Sequence, residues 1–390
     1  MRRRTFLELF AGVSVSTLPG FRSLSKAPRR VVVVGSGIVG SSIAYHLARR
    51  GAEVTVCEKE APASGATSKS FAWINASAGK QPYHYYRLNR LSGLAYRHLE
   101  AEVGGELQVQ WGGSLEWAEG AEDARTLRRN VARQQAWGHP IDLIGEDDFN
   151  ALEPGLEPGV PVLAAAWTRE EGSVDPEGAT RALVEAARRE GARIEYPCEV
   201  TGIVLRSGTL QGVETSLGPL QADALVIAAG VDSPRLAAMA GLDVPLTDSP
   251  GLLAHAVPGP RVLGRVALAP SGAMKQKLDG SLVVSGGFSG RPVSDDPRGQ
   301  AEEILRRARG LLPGAEGVRL ARHTVGWRPV PEDGFPVLGF SEGAPDVYVA
   351  VMHSGITLAP LVGRLVASEI LDGVQVEMLE PYRLSRFESR

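Results

Sequence analysis

The stretch Val31-Val32-Val33-Val34-Gly35-Ser36-Gly37-Ile38-Val39-Gly40 decides the fold. Four β-branched residues in a row read as a strand buried on both faces, and a G-x-G-x-x-G turn follows with no residue between. Gly35 makes the tight turn, Gly37 lets a pyrophosphate approach the backbone, and Gly40 permits close packing of helix on strand. The spacing predicts a helix from about Gly40 to Arg50, stopping at Gly51, then a second strand Glu53–Cys57 that ends on Glu58. The start of that helix, with Ser36, Ile38 and Val39 around it, offers oriented N–H groups to phosphates. Glu58 lies 58 − 40 = 18 residues after Gly40, where a carboxylate can accept hydrogen bonds from an adenosine ribose, with Lys59 beside it. The whole unit therefore points to a dinucleotide.

Outward from this unit the chain does not continue with regular βα repeats, as a simple nicotinamide enzyme would. A small, hydroxyl-rich loop, Ala63–Ser68, comes next and contains Ser64, Thr67 and Ser68; Phe71-Ala72-Trp73-Ile74-Asn75 follows. Such a loop can wrap a large planar ring and its sugar-alcohol chain without steric conflict. Asp175-Pro176 starts a predicted helix that runs to about Arg189, followed by strands at 193–196 and 199–205, the latter containing Val200. Leu225–Gly230 reads as a buried strand ending in small residues, Ala229 and Gly230. Asp346–Val351 is a further predicted strand, and Met352–Thr357 turns it into a helix reaching about Leu371 before Gly373. Lys275–Lys277 and Leu282–Ser285 form a predicted hairpin around Asp279-Gly280, and 301–311 an amphipathic helix.

Composition narrows the class. At roughly 100–200 residues per domain, 390 residues suggest two domains. A hydrophobic share of 43% with 22% charged residues is that of a globular chain able to bury a large core. The net charge of −3 argues against a nucleic-acid binder or a membrane-surface binder, since both want a basic face. Only two cysteines occur, Cys57 and Cys198, and they make no CxxC pair, which argues against a dithiol redox site, a thiolate zinc site or any disulfide scaffold; no metal is expected.

Residues 1–27 read as an export signal. Arg2, Arg3 and Arg4 are its basic part, Phe6–Leu18 its short apolar part, and Ser25-Lys26-Ala27 a cleavage site. The apolar part falls short of the about 20 residues needed to span a bilayer. Arg3-Arg4-Thr5-Phe6-Leu7 resembles the twin-arginine signal, which carries folded, cofactor-loaded proteins to the periplasm, although Glu8 stands where a lysine is common. An uncleaved tether, or a cytoplasmic protein with a basic N-terminus, are the other readings.

From residue 31 to 373 the chain resembles the FAD-dependent oxidoreductases of the D-amino-acid oxidase, glycine oxidase and sarcosine oxidase group. The matching pieces are Gly35–Gly40 with Glu58, Ser64–Ser68, Ser173–Pro176, Ala228-Ala229-Gly230, Gly326-Trp327-Arg328-Pro329, Asp333–Gly339 and Ser354–Thr357. The resemblance implies an α/β fold: a glutathione-reductase-type, Rossmann-like FAD-binding domain interleaved with a smaller α+β substrate domain built on an antiparallel sheet. The FAD-binding part would take 29–80, 156–245 and 325–375, the substrate part 81–155 and 246–324, leaving 376–390 as a tail. It also implies oxidation of a C–N bond in an amino acid or other carboxylate-bearing amine. Hydride passes from the α-carbon to flavin N5, and oxygen or a periplasmic acceptor takes the electrons. No second G-x-G-x-x-G for a nicotinamide is present.

By the same resemblance, FAD contacts fall on the Gly35–Gly40 turn, Glu58, Lys59, Ser64, Thr67, Ser68, Trp73, Val200, Ala229, Gly230, Ser354, Gly355, Ile356 and Thr357. Arg328 would grip a substrate carboxylate bidentately, or else pair with Glu332 or Asp333. His353 would face the flavin or substrate, or be a satisfied buried histidine. Tyr83 and Tyr86, which share a helical face, would line the pocket or simply pack. Lys275 or Lys277 would approach the flavin in its hairpin. Non-covalent attachment is expected, since no cysteine follows Cys198 and no histidine lies between Glu58 and Trp73. A 2-hydroxy-acid oxidoreductase and a flavin-binding protein without turnover are the competing readings.

Overall fold

A computed structural model describes residues 30–286 and 292–388; the expected export signal lies outside them. Two sheets organise the chain. The first has six strands in the order Val337–Ser341, Ala344–Val351, Ala224–Ile227, Arg30–Val34, Glu53–Cys57 and Arg193–Glu195, all neighbours parallel except the first pair. The tetravaline run lies at its centre. Val31 and Val33 face a layer of three helices, Ile38–Arg49, Pro176–Arg189 and Gly355–Asp372, in one core. Val32 and Val34 face the other side, where the antiparallel meander Val200–Arg206, Thr209–Thr215, Gly218–Gln221 closes a second core. Burial on both faces is why polar alternation is missing from this strand.

The second sheet has eight strands, ordered Leu320–Trp327, Pro250–Pro258, Ser281–Ser285, Gly272–Gln276, Val266–Ala269, Ser114–Ala118, Ala164–Thr168 and Ile141–Ile144. Every neighbouring pair is antiparallel except Val266–Ala269 with Ser114–Ala118. Helices Pro297–Gly310 and Ala121–Ala136 cover its apolar positions. The expected Asp-Gly hairpin and the expected helix near 301–311 both form here.

Three expectations about the division of the chain need correction. The strand Ala164–Thr168 pairs with Ser114–Ala118 and Ile141–Ile144 in the eight-stranded sheet, so a dinucleotide-binding segment beginning at 156 starts too early. Helix Tyr83–Glu102 lies in the stretch expected to belong to the substrate part, yet it buries Tyr85, Leu88, Tyr96 and Leu99 in the helical core of the first sheet. Its apolar face finds its partner on Gly355–Asp372, some 270 residues away in sequence, a contact that local pattern does not carry. The segment 376–388 is not a loose tail: Leu379, Tyr382 and Leu384 are buried. Arg383 forms a two-pronged ion pair with Glu369, at 2.5 and 2.9 Å, and Tyr348 donates a hydrogen bond to the same carboxylate at 2.6 Å.

Candidate functional site

The site begins at the glycine turn. Gly35 has φ +101°, a conformation that favours glycine, and a Cβ there would lie 2.6 Å from the Ala228 carbonyl oxygen. A Cβ on Gly40 would come within 2.0 Å of the Gly35 oxygen, so helix and turn touch backbone to backbone. The helix starts at Ile38, whose N–H donates to Thr67 Oγ1 at 3.2 Å, tying the hydroxyl-rich loop to the helix N-terminus. Glu58 accepts from the N–H of Ser36 at 2.8 Å and from that of Glu60 at 3.0 Å. Its carboxylate is fixed at the strand tip with lone pairs left for a ribose. Lys59 pairs with Asp232.

From this turn a cavity of about 560 Å³ runs along the sheet edge to Arg328, within the range of roughly 300–1,000 Å³ usual for cofactor and small-molecule sites. The strand order sets the turn after Val34 between Glu58, at the tip of Glu53–Cys57, and Met352–Thr357, which follows Ala344–Val351, so Gly35, Gly37, Ile38 and Val39 border the middle of the cavity. Glu58, Lys59 and Val200 border one end with Ala229 and Gly230, whose neighbour Asp232 pairs with Lys59. Ser64, Thr67 and Trp73 form a side wall. Ser354, Gly355, Ile356 and Thr357, which open the last long helix, border the other end with Arg328 and His353. Three expected contacts do not reach it. Ser36 is fully buried and Gly40 packed against the turn, while the Ser68 hydroxyl turns back to the carbonyls of Ser64 and Gly65 at 3.4 and 3.3 Å.

The far end is built by ties between distant segments. Thr357 Oγ1 accepts from the N–H of Asn75 at 3.0 Å and donates to the Trp73 carbonyl at 3.2 Å. Buried Glu171 accepts from the N–H groups of Ala76 and Ser77, both at 2.8 Å, and from Ser114 Oγ at 2.6 Å, anchoring the chain that leads to Lys80. Lys80 donates to Ser354 Oγ at 2.5 Å, and Tyr85 shares a 2.9 Å hydrogen bond with the same hydroxyl. Lys275 does not border the cavity: its ammonium donates to the carbonyls of Ala72 and Val174, at 3.2 and 2.7 Å, clasping the Phe71–Asn75 strap to the hairpin. Burial pushes its pKa down to about 7. Lys277 pairs with Asp175 at 2.7 Å, the residue that caps helix Pro176–Arg189.

Arg328 follows the strand Leu320–Trp327 and donates to the carbonyls of Ser249 and Pro250, at 3.3 and 3.1 Å, which orient its guanidinium at the cavity wall. Asp333, one of the two acids it could have paired with, is held by Arg386 at 2.6 Å. His353 borders the cavity. Burial, reinforced by the Lys80 and Arg328 charges, pushes its pKa down to about 4, so the imidazole is neutral at pH 7. Of the two readings for Tyr83 and Tyr86, lining fails and packing holds: neither borders the cavity. Tyr83 is 51% exposed and meets Trp137 edge to face, while Tyr86 packs on Trp137 and His139. The helix turns about 100° per residue, and it is Tyr85 that reaches the Ser354 hydroxyl and Lys80, which do border the cavity. Lys80, Tyr85 and Asn75 were not foreseen from sequence; the clue to Lys80 was a lone lysine after a small-residue stretch and just before the tyrosine cluster at 83–86, in a chain with six lysines.

An elongated cavity with a phosphate-cradling turn in the middle, an acidic strand tip at one end and a helix start with an arginine at the other fits a flavin dinucleotide. The sequence pattern described as "FAD dependent oxidoreductase" (DAO) matches residues 30–369. This chain belongs to that family. Glycine oxidase of Bacillus licheniformis is 29% identical over 367 residues, covering 92% of this chain and 97% of that one. Among solved structures, L-proline dehydrogenase from P. horikoshii superposes with a TM-score of 0.84 at 26% identity, covering 93% of this chain and 99% of the other. Glycine oxidase from Geobacillus kaustophilus superposes with 0.81, also at 26% identity, over 92% and 99%. The protein is thus an FAD-dependent oxidoreductase of the amino acid oxidase family. Among the described residues no group of three or more histidine, cysteine, aspartate or glutamate side chains could hold a metal ion.

Proposed function

We propose that this flavoprotein oxidises the C–N bond of an amino acid or N-substituted amino acid, with Arg328 gripping the substrate carboxylate. The observation that carries the reading is the placement of Arg328 and neutral His353 at the same end of the cavity as the start of helix Gly355–Asp372. Bound FAD, held without a covalent link by the glycine turn, Glu58 and the helix start, would supply the acceptor for a hydride from the α-carbon.

The chain's own residues supply placement. Two carbonyls fix the guanidinium, so a carboxylate meets a fork already in position, which is the main contribution such chemistry needs. Cations at Arg328 and Lys80 disfavour a third positive charge nearby, so a substrate amine entering beside them gives up its proton more readily. Neutral His353 can accept a hydrogen bond from that amine without adding charge. Glycine oxidase and L-proline dehydrogenase among the similar proteins support an amino-acid substrate. The electrons would then pass to oxygen or a periplasmic acceptor, and the basic-then-apolar opening of the sequence supports export by the twin-arginine route.

Anaerobic mixing of the yellow protein with glycine, N-methylglycine, L-proline, other D- and L-amino acids and 2-hydroxy acids tests this. Amino acids should bleach the flavin's visible absorption. Bleaching by hydroxy acids alone, or by none of the panel, would overturn the proposal.

A further inference from the structure

Lys80 is only 6% exposed and borders the cavity. Its partners are neutral: the Ser354 hydroxyl at 2.5 Å and the face of Tyr85, 5.1 Å from the ring centre. Among the described residues no carboxylate lies within ion-pair distance of it. Three other cations on the cavity wall have a carboxylate at hand: Lys59 pairs with Asp232, Arg235 with Glu199 and Arg307 with Glu303. An ammonium taken out of water without a countercharge is costly, so the missing anion must come from whatever fills the cavity.

The position of Lys80 selects among the anions available. A dinucleotide's phosphates belong at the glycine turn, in the middle of the cavity, and its adenosine at the Glu58 end. What remains for the Ser354 end is the flavin ring. Ser354 precedes the first residue of helix Gly355–Asp372, and the helix start, itself partially positive, borders the cavity there. Lys80 and the helix start therefore act on the same group.

Resting on the reading of this cavity as a flavin site, we propose that Lys80 sets the electron affinity of the bound flavin. Its ammonium, together with the start of the last helix, holds the negative charge that the ring carries after taking a hydride from the substrate. The step balances: the α-carbon loses a hydride, two electrons with one proton, and becomes the carbon of an iminium. The ring gains that hydride and one negative charge, which Lys80 offsets without transferring a proton. Lys80 thereby favours the reduced ring, and its effect belongs to the flavin rather than to any one substrate.

The test uses the full-length, FAD-loaded protein and its Lys80→Met and Lys80→Arg variants. The midpoint potential of the bound flavin is read by equilibration with reference dyes. Lys80→Met should lower the equilibrium constant for two-electron reduction at least about tenfold, a fall of about 30 mV or more, while Lys80→Arg stays near the parent. Because Lys80→Met can fail to fold, the parent protein supplies a second measurement. Its potential should change by about 30 mV per pH unit between pH 7 and 8, the slope of a two-electron couple that gains one proton. Twice that slope, or an unchanged potential in Lys80→Met, would overturn the proposal. So would loss of turnover confined to amines with two carboxylates at an unchanged potential, which would assign Lys80 to a second anionic group of the substrate. Failure of the parent chain to bind FAD at all would instead sink the underlying flavin reading.

Discussion

Gly40→Ala probes the contact on which the cofactor site depends. The added Cβ would lie 2.0 Å from the Gly35 oxygen, 3.1 Å from the Gly35 carbonyl carbon and 3.4 Å from the Ala228 side chain. Heavy atoms settle near 3.5 Å, so helix Ile38–Arg49 and the turn must separate by roughly 1–1.5 Å. Neither has room to yield: Gly35 is itself wedged against the Ala228 oxygen, and Gly363 of the last helix already packs closely on Ser42. Overpacking of this kind costs about 1–3 kcal/mol. A displacement of that size also pulls the helix N–H groups off the phosphates, and charge-assisted hydrogen bonds contribute about 1.5–3 kcal/mol each. FAD affinity should therefore fall by about 3 kcal/mol, a factor of ~100 or more. Titration of the apoprotein with FAD, followed by flavin fluorescence and accompanied by far-UV circular dichroism, measures this. Gly317→Ala is the control, since nothing lies within 4 Å of its Cβ position. Binding of FAD by Gly40→Ala within about threefold of the parent, with the fold intact, would refute the reasoning.

Further expectations follow from other parts of the structure. Arg328→Met should lower kcat/KM for carboxylate substrates by at least about 30-fold, the low end for breaking a desolvated charge pair, and steady-state kinetics with both constants unchanged would sink the assignment. Arg383→Met leaves Glu369 buried and unpaired, so the urea midpoint should fall by the equivalent of about 3 kcal/mol; an unchanged midpoint would show that the C-terminal lock contributes little. His139 is buried, and burial with the nearby Arg90 charge pushes its pKa down to about 4. The unfolded chain therefore binds a proton that the folded one refuses between about pH 6.5 and 4, and stability falls as pH drops through that window. At pH 5 the loss from this residue is up to about 2 kcal/mol. Chemical denaturation at pH 7 and pH 5 should show a smaller acid loss in His139→Phe than in the parent.

The parts of the fold readable from sequence are those whose cause is local. Gly35, Gly40 and Glu58 are fixed by what a turn and a strand tip require within thirty residues, and the structure meets those requirements. The proline and aspartate at 175–176 likewise marked a helix start from their own chemistry. Ala164–Thr168 was misplaced because a short run of small residues says nothing of which sheet it joins; pairing with Ser114–Ala118 is settled by tertiary register. Tyr83 and Tyr86 were chosen over Tyr85 because periodicity reveals which residues share a face, not where that face points. Lys80 stayed hidden because its role is created by Ser354, 274 residues further on.

The six-stranded sheet interleaves the beginning of the chain with its end: Val31–Val34 pairs with Ala224–Ile227, which pairs in turn with Val347–Val349. Translation must therefore reach the last helix before the cofactor's resting place has all its walls. A nascent chain can shape the glycine turn early, yet the cavity lacks one wall until Ser354–Thr357 have been synthesised. Loading of the cofactor is thus expected to follow synthesis of the last long helix, and a product truncated before Ser354 should be colourless.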